Sequence, residues 1–370
     1  MAVCKVVVLG GYGHFGARIV RALAATPTLQ VIAAGRHPGA AAANLAGADL
    51  GGVAVCRLDT AAADFPAQLA ATGADIVVHT AGPFQGQDYA VAHACLRAGM
   101  HYIDLADGRA FVRDFSAALD ALARQVGRSA ISGASTLPAL SSAVVDALRP
   151  RFSQLHDIDL VIAPAQATPL GMATVRAVLS YCGLPFDWWR DGRWQRTLGW
   201  AAPQPVSFAR LAPRLAAPCD VPDHDLLVAR YPGVRNVRFR AALELPFLQR
   251  CLAALARLRE LGVPLPMRSL AAVFARAGRW FDRFGSDLGG MSVQLRGLRD
   301  GRPHAVCWEL TAPTLHGPEI PCLAAILLVR KLASGAALPV GAQACMGLLS
   351  LAEFEGEFAA WRIETAVREI

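Results

Sequence analysis

Val6-Val7-Val8-Leu9-Gly10-Gly11-Tyr12-Gly13-His14-Phe15-Gly16 runs from an apolar, β-branched stretch straight into G-x-G-x-x-G. Behind it Phe15, Ile19, Val20 and Leu23 recur on one helical face until Thr26-Pro27 breaks the pattern. Strand, glycine turn and helix in that order give the glycine spacing a mechanical meaning. Gly11 permits a tight turn, Gly13 lets the backbone approach a pyrophosphate, and Gly16 lets the helix lie close to the strand. The N–H groups at the helix start, around His14 and Phe15 with Tyr12 in the turn before them, then face the phosphates. A ligand-free glycine turn is the plainer alternative, and it leaves the three-glycine spacing unexplained.

Working outward, residues 30–35 read as a second strand that ends in Arg36-His37. An NAD site usually has an acid about 20 residues past the glycines to hold the ribose 2′-OH. This chain has none there, and a planar, permanently charged guanidinium suits a 2′-phosphate. Arg36 therefore favours NADP(H), with NAD(H) as the alternative. Residues 53–58 read as a third strand followed by Asp59. That acid is placed either to accept a hydrogen bond from the adenine amino group or to cap the next helix. Further strands at 75–79, 101–105 and 129–132 alternate with helices near 62–71, 86–98 and 109–126. Residues 1–135 thus read as α/β, a Rossmann-type doubly wound parallel sheet.

The pattern then changes to a second, α+β domain over 136–317. Trp188-Trp189-Arg190-Asp191-Gly192-Arg193-Trp194 reads as a hairpin with an Asp-Gly turn, and residues 293–310 read as another around Asp300-Gly301. Residues 247–261 form an amphipathic stretch between them. Prolines cluster at 203–222, as in a loop or lid, and residues 324–332 and 342–351 read as helices.

Of 370 residues 54% are hydrophobic and 18% charged, which excludes disorder. Mean hydropathy is +0.36, yet no apolar run reaches a membrane span. The N-terminus enters a strand at once, with no signal-peptide pattern, so a cytoplasmic protein is expected. Net charge is +7. Lysine occurs only at Lys5 and Lys331 and the arginines are scattered, so nucleic acid is not an expected partner. The nine cysteines show neither disulfide nor zinc spacing, and no metal is expected.

His79-Thr80-Ala81-Gly82-Pro83-Phe84, Tyr89, and then Ala94-Cys95-Leu96-Arg97-Ala98-Gly99-Met100-His101-Tyr102-Ile103-Asp104-Leu105 resemble the saccharopine dehydrogenase-like family. That family has a similar A/V-G-P-F/Y turn, a helix ending in A-C-x-x-A-G, and then H-Y-x-D. Ser132-Gly133-Ala134-Ser135-Thr136-Leu137-Pro138 resembles the block that opens its second domain, and the resemblance holds over residues 3 to about 148. It implies an NAD(P)-dependent oxidoreductase fold with an inserted second domain. It also implies that C-terminal helices, from about 318 to 370, return to pack on the first.

In an open α/β sheet the ligand lies at the C-terminal strand ends. There Ala81, Gly82, Pro83 and Phe84 are expected to lie against the cofactor. Asp107 is read either as an acid that orients substrate or relays a proton, or as a helix N-cap. Ser135 and Thr136 are read as substrate-side hydroxyls or as helix caps. His79 and Tyr89 are candidate proton donors, with a structural role the alternative for such a histidine. His316, Glu319 and Glu244 are further substrate-side candidates. Trp188, Trp189, Trp194 and Trp200 either line an apolar pocket or pack a sheet or a homodimer interface.

The composite expectation is an NADP(H)-dependent oxidoreductase moving hydride to or from a small C=N or C=O substrate between the domains. A reductase of enoyl or lipid-linked substrates and an NADP(H)-binding sensor without turnover are the alternatives. A membrane-surface role would need an exposed amphipathic helix. Residues 323–332 are the one candidate, and the resemblance gives them an internal packing role.

Overall fold

Val6, Val7 and Val8 are completely buried, which a strand achieves only with both sheet faces covered. In the computed structural model, which describes residues 3–40, 45, 52–168 and 171–370, they form the centre of β1 (Cys4–Leu9). Around it lie β2 (Leu29–Gly35), β3 (Ala54–Arg57), β4 (Ile76–His79), β5 (His101–Asp104) and β6 (Ser129–Ser132). All pair in parallel, in the order 3-2-1-4-5-6. The order reverses between β1 and β4, the crevice at which such sheets bind dinucleotides. Helices Gly16–Ala24, Phe65–Ala71, Ala90–Arg97 and Arg109–Gln125 connect them.

One expectation is corrected at the far edge. Residues 342–351 do not make a helix: Gly341–Ala344 is a strand, β15, parallel to β6. The Gly341 N–H bonds the Arg128 carbonyl, and the Ala342 N–H bonds Asp120 Oδ1 at 2.9 Å. Alanine-rich sequence favours a helix locally, but an open sheet edge offers a full row of hydrogen bonds and wins. The next helix begins at Leu351, behind a Ser350–Glu353 capping box.

Met1–Leu140 with Glu319–Leu349 form one compact unit, and Ser141–Pro318 with Ser350–Ile370 the other. Helix Ile320–Ala333 belongs to the first, which it meets on Gly16–Ala24. The tail beyond 349 does not follow it, contrary to the expectation for residues up to 370. Its last strand, β16 (Glu364–Glu369), pairs antiparallel with β14 (Arg302–Ala312).

The second unit is a nine-stranded mixed sheet. Its path runs β10 (Gln204–Val206), β11 (Arg214–Pro218), β12 (Asn236–Leu243), β7 (Gln154–Ala163), β13 (Gly289–Arg299), β14, β16. The hairpin β8 (Pro185–Arg190) and β9 (Arg193–Leu198) attaches through β12. Both expected hairpins are present, and at each turn both residues have positive φ (Asp191 52°, Gly192 72°; Asp300 51°, Gly301 77°). The proline-rich 203–222 segment is no lid. It supplies β10 and β11, with Pro205 tolerated on an edge strand. Trp189 stacks edge-on against Trp194 across the hairpin and donates to the Val234 carbonyl, and Trp200 is buried. These tryptophans pack a sheet.

Candidate dinucleotide site

Four glycines, not three, build the loop after β1. Gly10 has φ +77°, and its N–H and that of Gly11 both bond the Ala34 carbonyl. A Cβ on Gly11 would lie 2.9 Å from Ala33 Cα, and one on Gly16 would overlap the Gly10 carbonyl. These positions are glycine because backbone meets backbone. Gly13 differs. It is exposed, its φ needs no glycine, and a Cβ there would meet only Gly10 O, at 3.0 Å. The fold barely requires glycine at 13, whereas close approach of a ligand's pyrophosphate does. Among the described residues the N–H groups of His14 and Phe15 have no protein acceptor. They stand at the start of helix Gly16–Ala24, where an anion fits. Burial and the neighbouring Arg18 push His14 down to about 4, so at neutral pH it offers an N–H and no charge.

The Tyr12 ring lies against Gly35, where a Cβ would fall 2.7 Å from Tyr12 Cζ. Next along the chain is Arg36, exposed and with no acid partner among the described residues. Asp59 follows β3. Its Oδ1 accepts from the Ala61 N–H at 3.2 Å, in a turn closed by Ala62 N–H to Asp59 O. It is not the cap of the next helix, which begins at Phe65 behind Asp64.

Thr80 joins the second loop to the first. Its hydroxyl donates to Leu9 O at 2.8 Å and lies where a side chain on Gly10 would go. Ala81, Gly82 and Pro83 are half-exposed, and the Gly82–Pro83 peptide is cis. Phe84 turns away. It is 3% exposed and packs on His79 and Phe111, which corrects its assignment as a cofactor contact. The loop after β5 carries Asp107, exposed and hydrogen-bonded by Gln85 Nε2 at 3.2 Å. Desolvation by the neighbouring loops raises its carboxyl above the ordinary value, with the Gln85 hydrogen bond opposing. It caps nothing: the helix Arg109–Gln125 has Gly108 at its N-cap.

The two proton-donor candidates are corrected. His79 is 2% exposed and shares a 3.0 Å hydrogen bond with the Tyr102 hydroxyl. Burial pushes it down to about 4, so it is a neutral core residue. The Tyr89 hydroxyl donates to Phe111 O at 2.9 Å, its ring packs on Phe111 and Phe115, and burial raises its pKa. Of the other acids and bases, Glu319 pairs with Arg18 at 2.8 Å, and Arg18 Nη1 in turn donates to His14 O. Glu319 therefore holds the glycine loop. Glu244 accepts from Ser286 and the Gln166 N–H, and His316 bonds the Trp361 carbonyl. Thr136 is buried in the helical turn Thr136–Leu140 that precedes helix Ser141–Leu148.

Residues 6–131 match the model of the saccharopine dehydrogenase NADP binding domain. That match, to a dehydrogenase cofactor-binding domain, lies within the first unit. This domain type is that of NAD(P)-dependent oxidoreductases. Over the whole chain the fold is similar to that of apo saccharopine dehydrogenase (L-Glu forming) from Saccharomyces cerevisiae. That match has TM-score 0.71 and 13% identity, covering 99% of this chain and 100% of the other. A weaker match is to amine dehydrogenase from Mycobacterium smegmatis, with TM-score 0.49 and 14% identity over 92% and 94% of the two chains. No protein of curated function matches by sequence.

Sequence reasoning gave no structural role to three parts of this site. Gly10 was legible as an extra glycine. Gln87 was not: its Nε2 donates to both Ala81 O (3.0 Å) and Pro83 O (2.7 Å) and clamps the loop. Asp104 ends β5 with no exposure at all. Its Oδ1 accepts from the Ala106 N–H, the Ser132 hydroxyl and the Gly133 N–H at 2.8–2.9 Å. It ties the ends of β5 and β6 together below the site. Burial raises it to about 6, against the pull of those hydrogen bonds.

Proposed function

We propose that the chain is an NADP(H)-dependent oxidoreductase that moves hydride to or from a small C=N or C=O substrate. Gly13 carries this reading: it is glycine at an exposed position where the fold gains little from it, next to two unused helix-start N–H groups. The glycine loop holds the pyrophosphate, Tyr12 and Arg36 take the adenosine end with its 2′-phosphate, and the Ala81–Gly82–Pro83 backbone, clamped by Gln87, borders the nicotinamide. NADPH supplies the hydride when bound. The chain binds and orients, and Asp107 holds or accepts the substrate's proton.

Calorimetry with NADPH and NADH tests the cofactor assignment. Arg36→Ala is expected to cost about 1.5–3 kcal/mol, roughly a tenfold to hundredfold rise in Kd for NADPH, with NADH unmoved. Equal affinity for the two cofactors in the parent chain would sink the NADP assignment.

A second reading, cofactor binding without turnover, is favoured by one observation. His79 and Tyr89 are both engaged in packing, so Asp107 stands alone among the proton-transfer candidates. Asp107→Asn separates the two. Turnover should fall about 10²- to 10⁴-fold with NADPH affinity unchanged. A chain that oxidises no substrate with or without Asp107 belongs to the second reading.

A further inference from the structure

The amphipathic stretch singled out in the sequence leads into a surface that the dinucleotide site does not use. Phe247, Trp280 and Phe284 keep 60%, 72% and 60% of their surface open. Phe247 sits on helix Pro246–Glu260, Trp280 caps the C-terminus of helix Met267–Arg279, and Phe284 ends the short turn Asp282–Phe284 that follows. Phe247 and Phe284 both pack on Phe281, with ring centroids 6.1 and 6.3 Å apart, and Trp280 directly precedes Phe281 in the chain. Val273, also 60% open, lies two turns before Trp280 on the same helical face.

Charge is segregated around these rings. Residues 246–284 contain seven arginines and two acids. Arg250, Arg276, Arg279 and Arg283 are exposed and have no acid partner among the described residues. Arg283 lies over the Phe284 ring, 4.7 Å from its centroid. The acids are engaged: Asp282 accepts from Gln166 Nε2, and Glu260 pairs with Arg257. Gln166 also donates to Gly278 O, which pins the end of the helix to the turn after β7, so the rings stand on an anchored element.

We propose that this corner of the second domain docks on an anionic lipid bilayer. The rings would enter the boundary between headgroups and acyl chains, and the four unpaired guanidiniums would reach the lipid phosphates and carboxylates. No helix among the described residues is long and apolar enough to cross a membrane, so the mode is peripheral. A second copy of the chain fits worse, because a twofold contact on this face would set unpaired arginines against arginines. Residues 323–332, the one candidate the sequence offered for a surface helix, lie in helix Ile320–Ala333, most of whose residues are buried.

Co-sedimentation of the full chain with phosphatidylcholine vesicles, with and without phosphatidylserine, tests the proposal. Binding to the phosphatidylserine vesicles is expected to be at least about tenfold tighter and to weaken steeply with salt. The double variant W280S/F284S and the triple variant R276Q/R279Q/R283Q should each lose about tenfold or more. Melting temperatures should be unchanged, since these positions are exposed. Failure of the parent chain to bind phosphatidylserine vesicles, or salt-insensitive binding, overturns the proposal without any variant. So do folded variants that bind as well as the parent. A concentration-dependent dimer that W280S/F284S dissolves would also overturn it, and would assign the face to a second copy.

Discussion

Gly13→Ala is expected to raise the Kd for NADPH roughly a hundredfold, about 2.8 kcal/mol, while the melting temperature stays nearly in place. Gly16→Ala is expected to lower both. The added methyl differs only in what it meets. At 13 it points into open surface and crowds one carbonyl oxygen at 3.0 Å. A few tenths of an ångström of movement relieves that contact, and the space a pyrophosphate would need is then filled. At 16 it overlaps the Gly10 carbonyl, comes within 2.7 Å of its carbon, and sits 2.9 Å from Gly11 Cα. Helix Gly16–Ala24 must then lift from β1. Overpacking of this kind costs about 1–3 kcal/mol, or a fall of roughly 2–10 °C in Tm. Calorimetry and thermal melts on both variants check the pair. Gly13→Ala binding NADPH like the parent would remove the main support for a dinucleotide in this loop. Gly16→Ala melting like the parent would contradict the packing argument.

Asp104 has the second large effect, on stability. Asp104→Ala leaves the Ala106 N–H, the Gly133 N–H and the Ser132 hydroxyl without their shared acceptor in a fully buried place. Unpaired buried donors cost about 1–3 kcal/mol each and do not add fully, so a loss of about 4 kcal/mol is expected. Asp104→Asn keeps an acceptor oxygen and removes the charge, and should cost far less. The two variants also separate by pH. Burial raises this carboxyl from 3.8 to about 6 in the folded chain, so between those values the folded state holds more protons than the unfolded one. Its contribution to stability is complete below about pH 4 and is lost as pH rises through 6, on the order of 3 kcal/mol in all. His79, held neutral down to about pH 4, acts with the opposite sign. The carboxyl is therefore read as the difference between parent and Asn variant. Urea unfolding from pH 4 to 8 should show Asp104→Asn gaining on the parent up to about pH 6 and then running parallel. A constant difference across that range would mean the carboxyl is not protonated on folding.

The order of elements in the first domain and the position of its phosphate loop follow from the sequence alone. Three buried valines and a leucine, a glycine at each required place and an amphipathic helix act within about twenty residues of one another, and local sterics decide them. The two Asp-Gly hairpins of the second domain were legible for the same reason, because only a few residue types accept positive φ at both turn positions. Other features depended on partners far along the chain. Residues 341–344 became a strand because β6 had a free edge. β16 joined β14, in the sheet of the second unit. The imidazole of His79 and the hydroxyl of Tyr89, which the sequence offered as proton donors, were consumed by Tyr102 and Phe111. Gln87, Asp104 and Glu319 carried no local mark of their work as clamps. A motif reports what its own backbone must do, while the role of a polar side chain is set by whichever distant groups are packed within hydrogen-bond reach of it, and only the tertiary structure decides those.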